Sequence, residues 1–381
     1  MIFLLAIAIL LAGTGFGQSA APASTSSPEL SVLQKAAESG DSQAEFALGQ
    51  AYDDGEGIVQ NEEAAFTWYG KAAEQGYAPA QNALGLMYRE GRGVEQSRDK
   101  AVEWYRKAAR QNNPKAMFNL GTAYYNGDGV AIDDVAAYAW FLLAQQYGSE
   151  PAKDAVTRIA STLKPWQISS SFDTIGDMYE QRKDLPVDHL IAIEWYRRAA
   201  PSGEPAANVK LANFLVIQGG NSNCQEALHS CIAAAKKQYA PGALCAGLLY
   251  QKGLGAAQNL TEAAKWFDQA AQLGDANAML QLAEMYWDGT GLKQDKVSAY
   301  AYILLASTAD LPKAAQDKIL YEQTLTSKQV EKARQQASKW AKSHSSVGFE
   351  TARSSSRLSN STSSPPKFTR DSSSKYLITC F

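Results

Sequence analysis

Leu84-Gly85-Leu86-Met87-Tyr88-Arg89-Glu90-Gly91-Arg92-Gly93-Val94, followed by Trp104-Tyr105-Arg106-Lys107-Ala108-Ala109, is the stretch on which the fold turns. Its first part recurs 36 residues upstream, as Leu48-Gly49 with Tyr52, and 36 residues downstream, as Leu120-Gly121 with Tyr124. More divergent copies bring the total to seven. A period in this range is the signature of helical pairs stacked into a solenoid. In the unit from Gln43 to Gly76, Ala44, Leu48, Ala51 and Tyr52 fall at i, i+4, i+7 and i+8, one apolar stripe of a helix. Gly55 and Gly57 stop that helix, because glycine accepts the positive φ that a helix C-terminus commonly needs. Asn61 caps a second helix whose stripe is Ala65, Trp68, Tyr69 and Ala72, and Gly76 ends it.

The register holds along the chain. Trp68 recurs as Trp104, Trp140, Trp195, Trp266 and, conservatively, Tyr302. Counting back from it, the cap position reads Asn61, Ser97, Asp133, Asp188, Cys224, Asn259 and Asp295, six of the seven being strong N-cap formers. The Trp68 and Tyr52 series read as core. Lys35-Ala36-Ala37 and Gly40 match Lys71-Ala72-Ala73 and Gly76, so a lone second helix precedes the first full unit. The fourth copy lacks the glycine pair. The fifth, around Leu211, is the most degenerate, with Leu215, Cys231 and Ile232 in place of aromatics, and is expected to be the weakest link of the stack. A longer duplication, Tyr138–Ala144 against Tyr300–Ala306, places an extra helix near residues 151–163 and again near 312–325. Two arrays are expected, 31–167 with three copies and 168–344 with four, each closed by its extra helix.

Leu-Gly-x-x-Tyr also occurs in tetratricopeptide repeats, whose period is about 34. Here the period is 36 and the inter-helix loop carries Gly-x-Gly-Val or a near variant: Gly55-Glu56-Gly57-Ile58, Gly91-Arg92-Gly93-Val94, Gly127-Asp128-Gly129-Val130, Gly253-Leu254-Gly255-Ala256 and Gly289-Thr290-Gly291-Leu292. With Lys-Ala-Ala-like ends to the second helices, residues 31–340 resemble the Sel-1-like repeat family. The resemblance implies an all-α, right-handed superhelical solenoid of antiparallel helix pairs. It implies an adaptor that holds other proteins and takes no cofactor. It also implies that the first helices line the concave side.

The residues pointing away from the first-helix stripe are then the candidate partner-binding positions. They run Phe46, Gln50, Asp53; Asn82, Leu86, Arg89; Phe118, Thr122, Tyr125; Asp173, Asp177, Glu180; Val209, Asn213, Val216; Leu244, Leu248, Gln251; Leu280, Glu284, Trp287. Ten carry the prediction: Phe46, Gln50, Arg89, Phe118, Tyr125, Asp177, Glu180, Asn213, Glu284 and Trp287. Aromatics and arginine are typical binding anchors. The competing reading is that curvature buries the apolar ones against neighbouring units.

A net charge of −3 over 381 residues gives no reason to expect nucleic acid or an anionic membrane as partner. Ile2 to Ala12 is an unbroken apolar run followed by small residues, read as a signal peptide over residues 1–20 that leaves no integral membrane segment once cleaved. Export to a secreted or periplasmic location follows, with residues 21–30 as a linker. The serine-dominated segment 345–381 reads as a disordered tail. Cys231 and Cys245 fall on consecutive antiparallel helices, placed either to form a disulfide or to pack as two small buried side chains.

Catalysis has little support. None of the histidines, His189, His229 and His344, sits beside a nucleophile motif or at metal-ligand spacing. The Gly-x-Gly pairs lack the lysine and preceding strand of a phosphate loop. No catalytic residue, metal site or cofactor is predicted. A second reading is an envelope protein that binds cell wall or binds and hydrolyses β-lactams, related to secreted cysteine-rich repeat proteins; those carry paired cysteines in successive repeats, and this chain does not.

Overall fold

The computed structural model describes residues 28–344, apart from 181–184, 186, 203 and 310. The predicted signal segment and serine-rich tail lie outside the described residues. Every described element is helical. A lone helix α1 (Pro28–Glu38) precedes three pairs: α2 (Ser42–Asp54) with α3 (Glu62–Glu74), α4 (Ala78–Glu90) with α5 (Arg98–Ala109), and α6 (Pro114–Asn126) with α7 (Asp134–Gln146). The extra helix α8 (Glu150–Ala160) follows. Four pairs come next: α9 (Pro165–Glu180) with α10 (His189–Ala199), α11 (Pro205–Gln218) with α12 (Asn221–Lys236), α13 (Ala240–Lys252) with α14 (Leu260–Gln272), and α15 (Ala276–Asp288) with α16 (Lys296–Ala306). The second extra helix α17 (Pro312–Thr324) and a last helix α18 (Ser327–Ser343) complete the stack. Each pair packs internally and against the next, which makes the molecule an all-α solenoid of antiparallel helix pairs.

Six of the seven predicted caps act as such: the Asn61, Ser97, Asp133, Asp188, Asn259 and Asp295 side chains accept from the first backbone N–H groups of their helices. Cys224 does not. α12 starts four residues earlier than that register, behind Gly220, so Cys224 lies inside the helix and is buried.

Three local devices give the units their shape. The first glycine of each Gly-x-Gly pair ends the first helix in the left-handed region, as at Gly91 (φ 72°) and Gly289 (φ 74°). The second glycine docks on the preceding unit: a Cβ at Gly291 would lie 2.6 Å from the carbonyl carbon of Leu260, at the start of α14. The glutamine before the cap closes the loop, since the side-chain amides of Gln60, Gln96, Gln258 and Gln294 donate at 2.8 Å to the carbonyls of Asp53, Arg89, Gln251 and Trp287. That glutamine recurs in phase along the chain, but its role shows only once the loop is folded.

The Leu-Gly glycine has its own reason. A Cβ there would meet the ring of the second aromatic of the Trp-Tyr pair, at 2.6 Å for Gly49 and Tyr69, 2.6 Å for Gly85 and Tyr105, and 2.5 Å for Gly247 and Phe267. In the two units where the glycine is alanine, Ala212 and Ala283, the ring position holds Ile232 and Ile303. The deep position is therefore this second aromatic. Tyr69, Tyr105, Phe141, Tyr196 and Phe267 are all buried. The tryptophans divide: Trp140 and Trp195 are buried, while Trp68, Trp104 and Trp266 are only half-buried. Lys71 and Lys107 lie over the Trp68 and Trp104 rings at 3.7 and 3.5 Å. The reading of the series as core holds for Trp140 and Trp195 and is corrected for Trp68, Trp104 and Trp266, which sit one helical step out and are only partly covered. The Tyr52 series is mixed in the same way, with Tyr179 buried but Tyr52, Tyr88, Tyr124, Tyr250 and Tyr286 partly exposed.

The extra helices do not close the arrays as expected. α7 packs against both α8 and α9, and one core runs without interruption from Ala101 on α5 to Leu249 on α13, across the expected boundary at 167. α8 is a side insertion, and α9 takes the place on α7 that any next first helix would take. α18 occupies the corresponding place on α16, with no second helix behind it among the described residues. Its inner side buries Ala333 and Ala337, and its outer side presents Lys328, Glu331, Lys332, Gln335 and Lys339 to solvent. A polar outer face is what a solenoid's terminal element needs.

Candidate functional site

First helices present the predicted positions, but the two halves of the stack treat them differently. In the first half, Phe46 and Gln50 of α2 share a cleft of about 380 Å³ with Asn82 and Leu86 of α4 and Lys115 of α6. Its floor carries an ion pair between Asp53 and Arg92. Phe46 packs its ring against Tyr69 and Tyr77, with centroids 5.5 and 5.4 Å away. Next to it on the same face, Phe118, Thr122 and Tyr125 of α6 line a second cleft of about 360 Å³. Arg158 and Ile159 of the extra helix α8 wall that cleft. Tyr125 is 46% exposed, and Gln50 is also exposed. Arg89 is half-exposed and pairs with its neighbour Glu90 at 2.6 Å. Pairs at this exposure are worth little and are readily exchanged.

In the second half, the chain occupies the face with its own side chains. Asn213 is 5% exposed, so its predicted role as a contact residue is corrected. Val209, Leu244 and Leu280 are buried there too. Trp287 stacks flat on Tyr321 of α17 at 3.7 Å, and Glu284 pairs with Lys313 of the same helix. Asp177 and Glu180 both accept from the Tyr196 hydroxyl, at 2.8 and 2.7 Å. Lys210 of α11 then joins Asp173 and Asp177, at 2.8 and 2.7 Å. These acids fasten α9, α10 and α11 together, so their charge is engaged within the chain. Of the ten predicted residues, Phe46, Gln50, Phe118 and Tyr125 line the two first-half clefts and Arg89 is half-exposed.

The network around Lys210 titrates. Burial pushes Asp173 from its usual 3.8 to about 6, although Lys210 pulls the other way, and it also raises Glu180. Between those two values the folded chain holds a proton on Asp173 that the unfolded chain has lost. Stability therefore rises as pH falls from 7 to 5, by on the order of 1 kcal/mol. Denaturant unfolding at both pH values checks this. In Asp173→Asn most of the difference should disappear; an unchanged slope would assign it to other groups.

Cys231 on α12 and Cys245 on α13 are joined as a disulfide, with Cα atoms 5.6 Å apart and both residues fully buried. The left-handed Gln238 (φ 58°) makes the turn that sets the two helices antiparallel. Among the described residues, no group of three or more His, Cys, Asp or Glu side chains is arranged to hold a metal. No described helix is long and apolar enough to cross a membrane.

The family model of the Sel1 repeat matches residues 42–77, 78–113, 114–144, 175–203, 243–275 and 276–311. The unmatched interval between 203 and 243 contains most of the degenerate fifth unit, including Cys231. No curated protein matches the chain. Among solved structures, a protective antigen of uropathogenic Escherichia coli with an SLR fold, c5321, is 24% identical over 90% of this chain and 92% of that one, with a TM-score of 0.33. A Sel1 repeat protein from Oxalobacter formigenes is 26% identical over 75% and 78%, with a TM-score of 0.36. Yeast Tom70 is 12% identical over 87% of this chain and 61% of its own, with a TM-score of 0.30.

Proposed function

The chain belongs to the Sel1 repeat family, whose members are generally protein-interaction scaffolds, and on that footing we propose a non-enzymatic adaptor that grips an extended segment of another protein. The reading rests on one contrast. The first-helix face of units one to three is left as two adjoining clefts edged by the exposed Gln50 and Tyr125, whereas the same face further along is filled by the chain itself. Aromatic walls supply anchors for apolar side chains, and the polar rim sets register. Export is part of the proposal, supported by the apolar run Ile2–Ala12 and by a buried cysteine pair that persists as a disulfide in an oxidising compartment.

Affinity capture from an envelope extract tests the adaptor reading. Tyr125→Glu combined with Gln50→Arg alters two exposed positions, so the melting profile should hold. Capture of the partner should fall about tenfold or more. If both proteins retain the same set, the open face is not the binding face. Export has a separate readout: thiol labelling of the denatured, unreduced protein from cell fractions should leave Cys231 and Cys245 unmodified. Labelling of both would place the protein in a reducing compartment.

A further inference from the structure

Three units carry a tyrosine at the deep ring position, and a hydroxyl buried there needs an acceptor. In unit one the Tyr69 hydroxyl reaches Asp53 at 3.5 Å. In unit four the Tyr196 hydroxyl donates to Asp177 and Glu180. Each time the acceptor is a carboxylate from the open side of the first helix. Where the ring is Phe141 or Phe267, with no hydroxyl, the matching first-helix residues are Tyr125 and Gln251, and no acid is needed.

Unit two breaks the pairing. Tyr105 is 1% exposed, yet its hydroxyl has no hydrogen-bond partner. The residue in the place of Asp53 and Glu180 is Arg89, a cation where the other two units put an anion. Tyr105 borders a crevice of about 10 Å³ shared with Arg89, Arg98, Asn119, Thr122 and Asp128. That is room for one oxygen atom. Its lining holds two guanidinium groups against one carboxylate, so the crevice favours an anion. Arg98 is committed to Asp128 only loosely, at 3.4 Å, and Arg89 to the exposed Glu90.

We propose that unit two omits its own carboxylate so that a partner can supply one: an aspartate, glutamate or C-terminal carboxylate of the bound segment, accepting from the Tyr105 hydroxyl and from Arg89. This deepens the adaptor reading and rests on it. The crevice is lined by α4, α5 and α6, and α4 and α6 also present the neighbouring cleft residues Leu86, Phe118 and Tyr125. A carboxylate seats one oxygen in the crevice and leaves the other on Arg89. Burial raises the Tyr105 phenol well above its ordinary value, which keeps it protonated and a donor.

The test uses acetylated, amidated Ala-Phe-Glu-Phe-Ala and its glutamine isostere, titrated into the full chain at low salt and followed by the NMR signals of the Thr122 methyl and Asn119 side-chain amide. The glutamate peptide should bind about tenfold more tightly, the usual scale of a hydrogen bond to a charged group. That preference should vanish in Tyr105→Phe. It should also vanish in Arg89→Glu, which restores the acid of the other units and closes the site from within. Tyr105→Phe keeps the ring and removes an unpaired hydroxyl, so it folds normally. Equal binding of both peptides, weakened by Tyr125→Ala, would overturn the carboxylate site and leave the open-face reading standing. Binding of neither, up to the peptides' solubility limit, would overturn both.

Discussion

Gly291→Ala is expected to cost about 3 kcal/mol or more of unfolding free energy, a loss that belongs to the short list of severe mechanisms. Gly291 has φ 71°, where an L-residue pays roughly 1–2 kcal/mol. Most of the remaining cost comes from position. The new methyl would lie 2.6 Å from both the carbonyl carbon and oxygen of Leu260, and backbone at the start of a helix cannot step aside as a side-chain tip can. Gly57 is the internal control. It has the same conformation, φ 72°, in the same loop, but among the described residues only the lone helix α1 precedes its unit, and nothing lies within 4 Å of its missing Cβ. Gly57→Ala should therefore cost only the backbone strain, about 1–2 kcal/mol. Denaturant unfolding followed by circular dichroism measures both. Equal losses would mean that the second glycine serves only its own turn and does not lock one unit onto the last.

Gly247→Ala should cost about 1–3 kcal/mol by overpacking, since its methyl would fall 2.5 Å from the Phe267 ring in a fully buried site. Phe267→Ile alone should cost about 2 kcal/mol through the void it leaves. The two together rebuild the Ala283 and Ile303 combination that this chain already uses one unit later. The double variant is expected to recover most of the loss, to within about 1 kcal/mol of the parent, because residues in direct contact couple. Additive losses would show that the alternation of glycine with rings and alanine with isoleucine has no packing origin.

That alternation is printed in the sequence, as is the glutamine that recurs before four of the seven caps, yet neither carries meaning until helix pairs are set in contact. The apolar period, the glycine stops and the caps at Asn61 and its counterparts concern one helix at a time, and so they are legible from spacing alone. The candidate site was half legible. Helical geometry places Phe46, Phe118, Asp177 and Trp287 on the same face of their first helices, and nothing in their spacing says which of them the chain will cover. Tyr321, which stacks on Trp287, lies 34 residues later in a helix outside the repeat pattern. Lys210, which binds Asp173 and Asp177, comes from the neighbouring unit. The ring of Tyr105 belongs to the core on its spacing alone, while its hydroxyl stands out only when the partners of Tyr69 and Tyr196 are laid beside it.

Spacing and residue type were enough to establish the all-α repeat, its register, the helix ends and six of the seven caps. Each of these follows from interactions spanning a few residues, which a period of 36 then repeats. Three outcomes needed the packed molecule: that the core runs unbroken past α8, that Trp68, Trp104 and Trp266 lie at the rim of the core while Trp140 and Trp195 lie within it, and that the two clefts lie in the first three units. They depend on which surfaces meet across units and across the two inserted helices. Side chains of identical register can be covered or left free there, because burial is a property of the neighbour as much as of the residue.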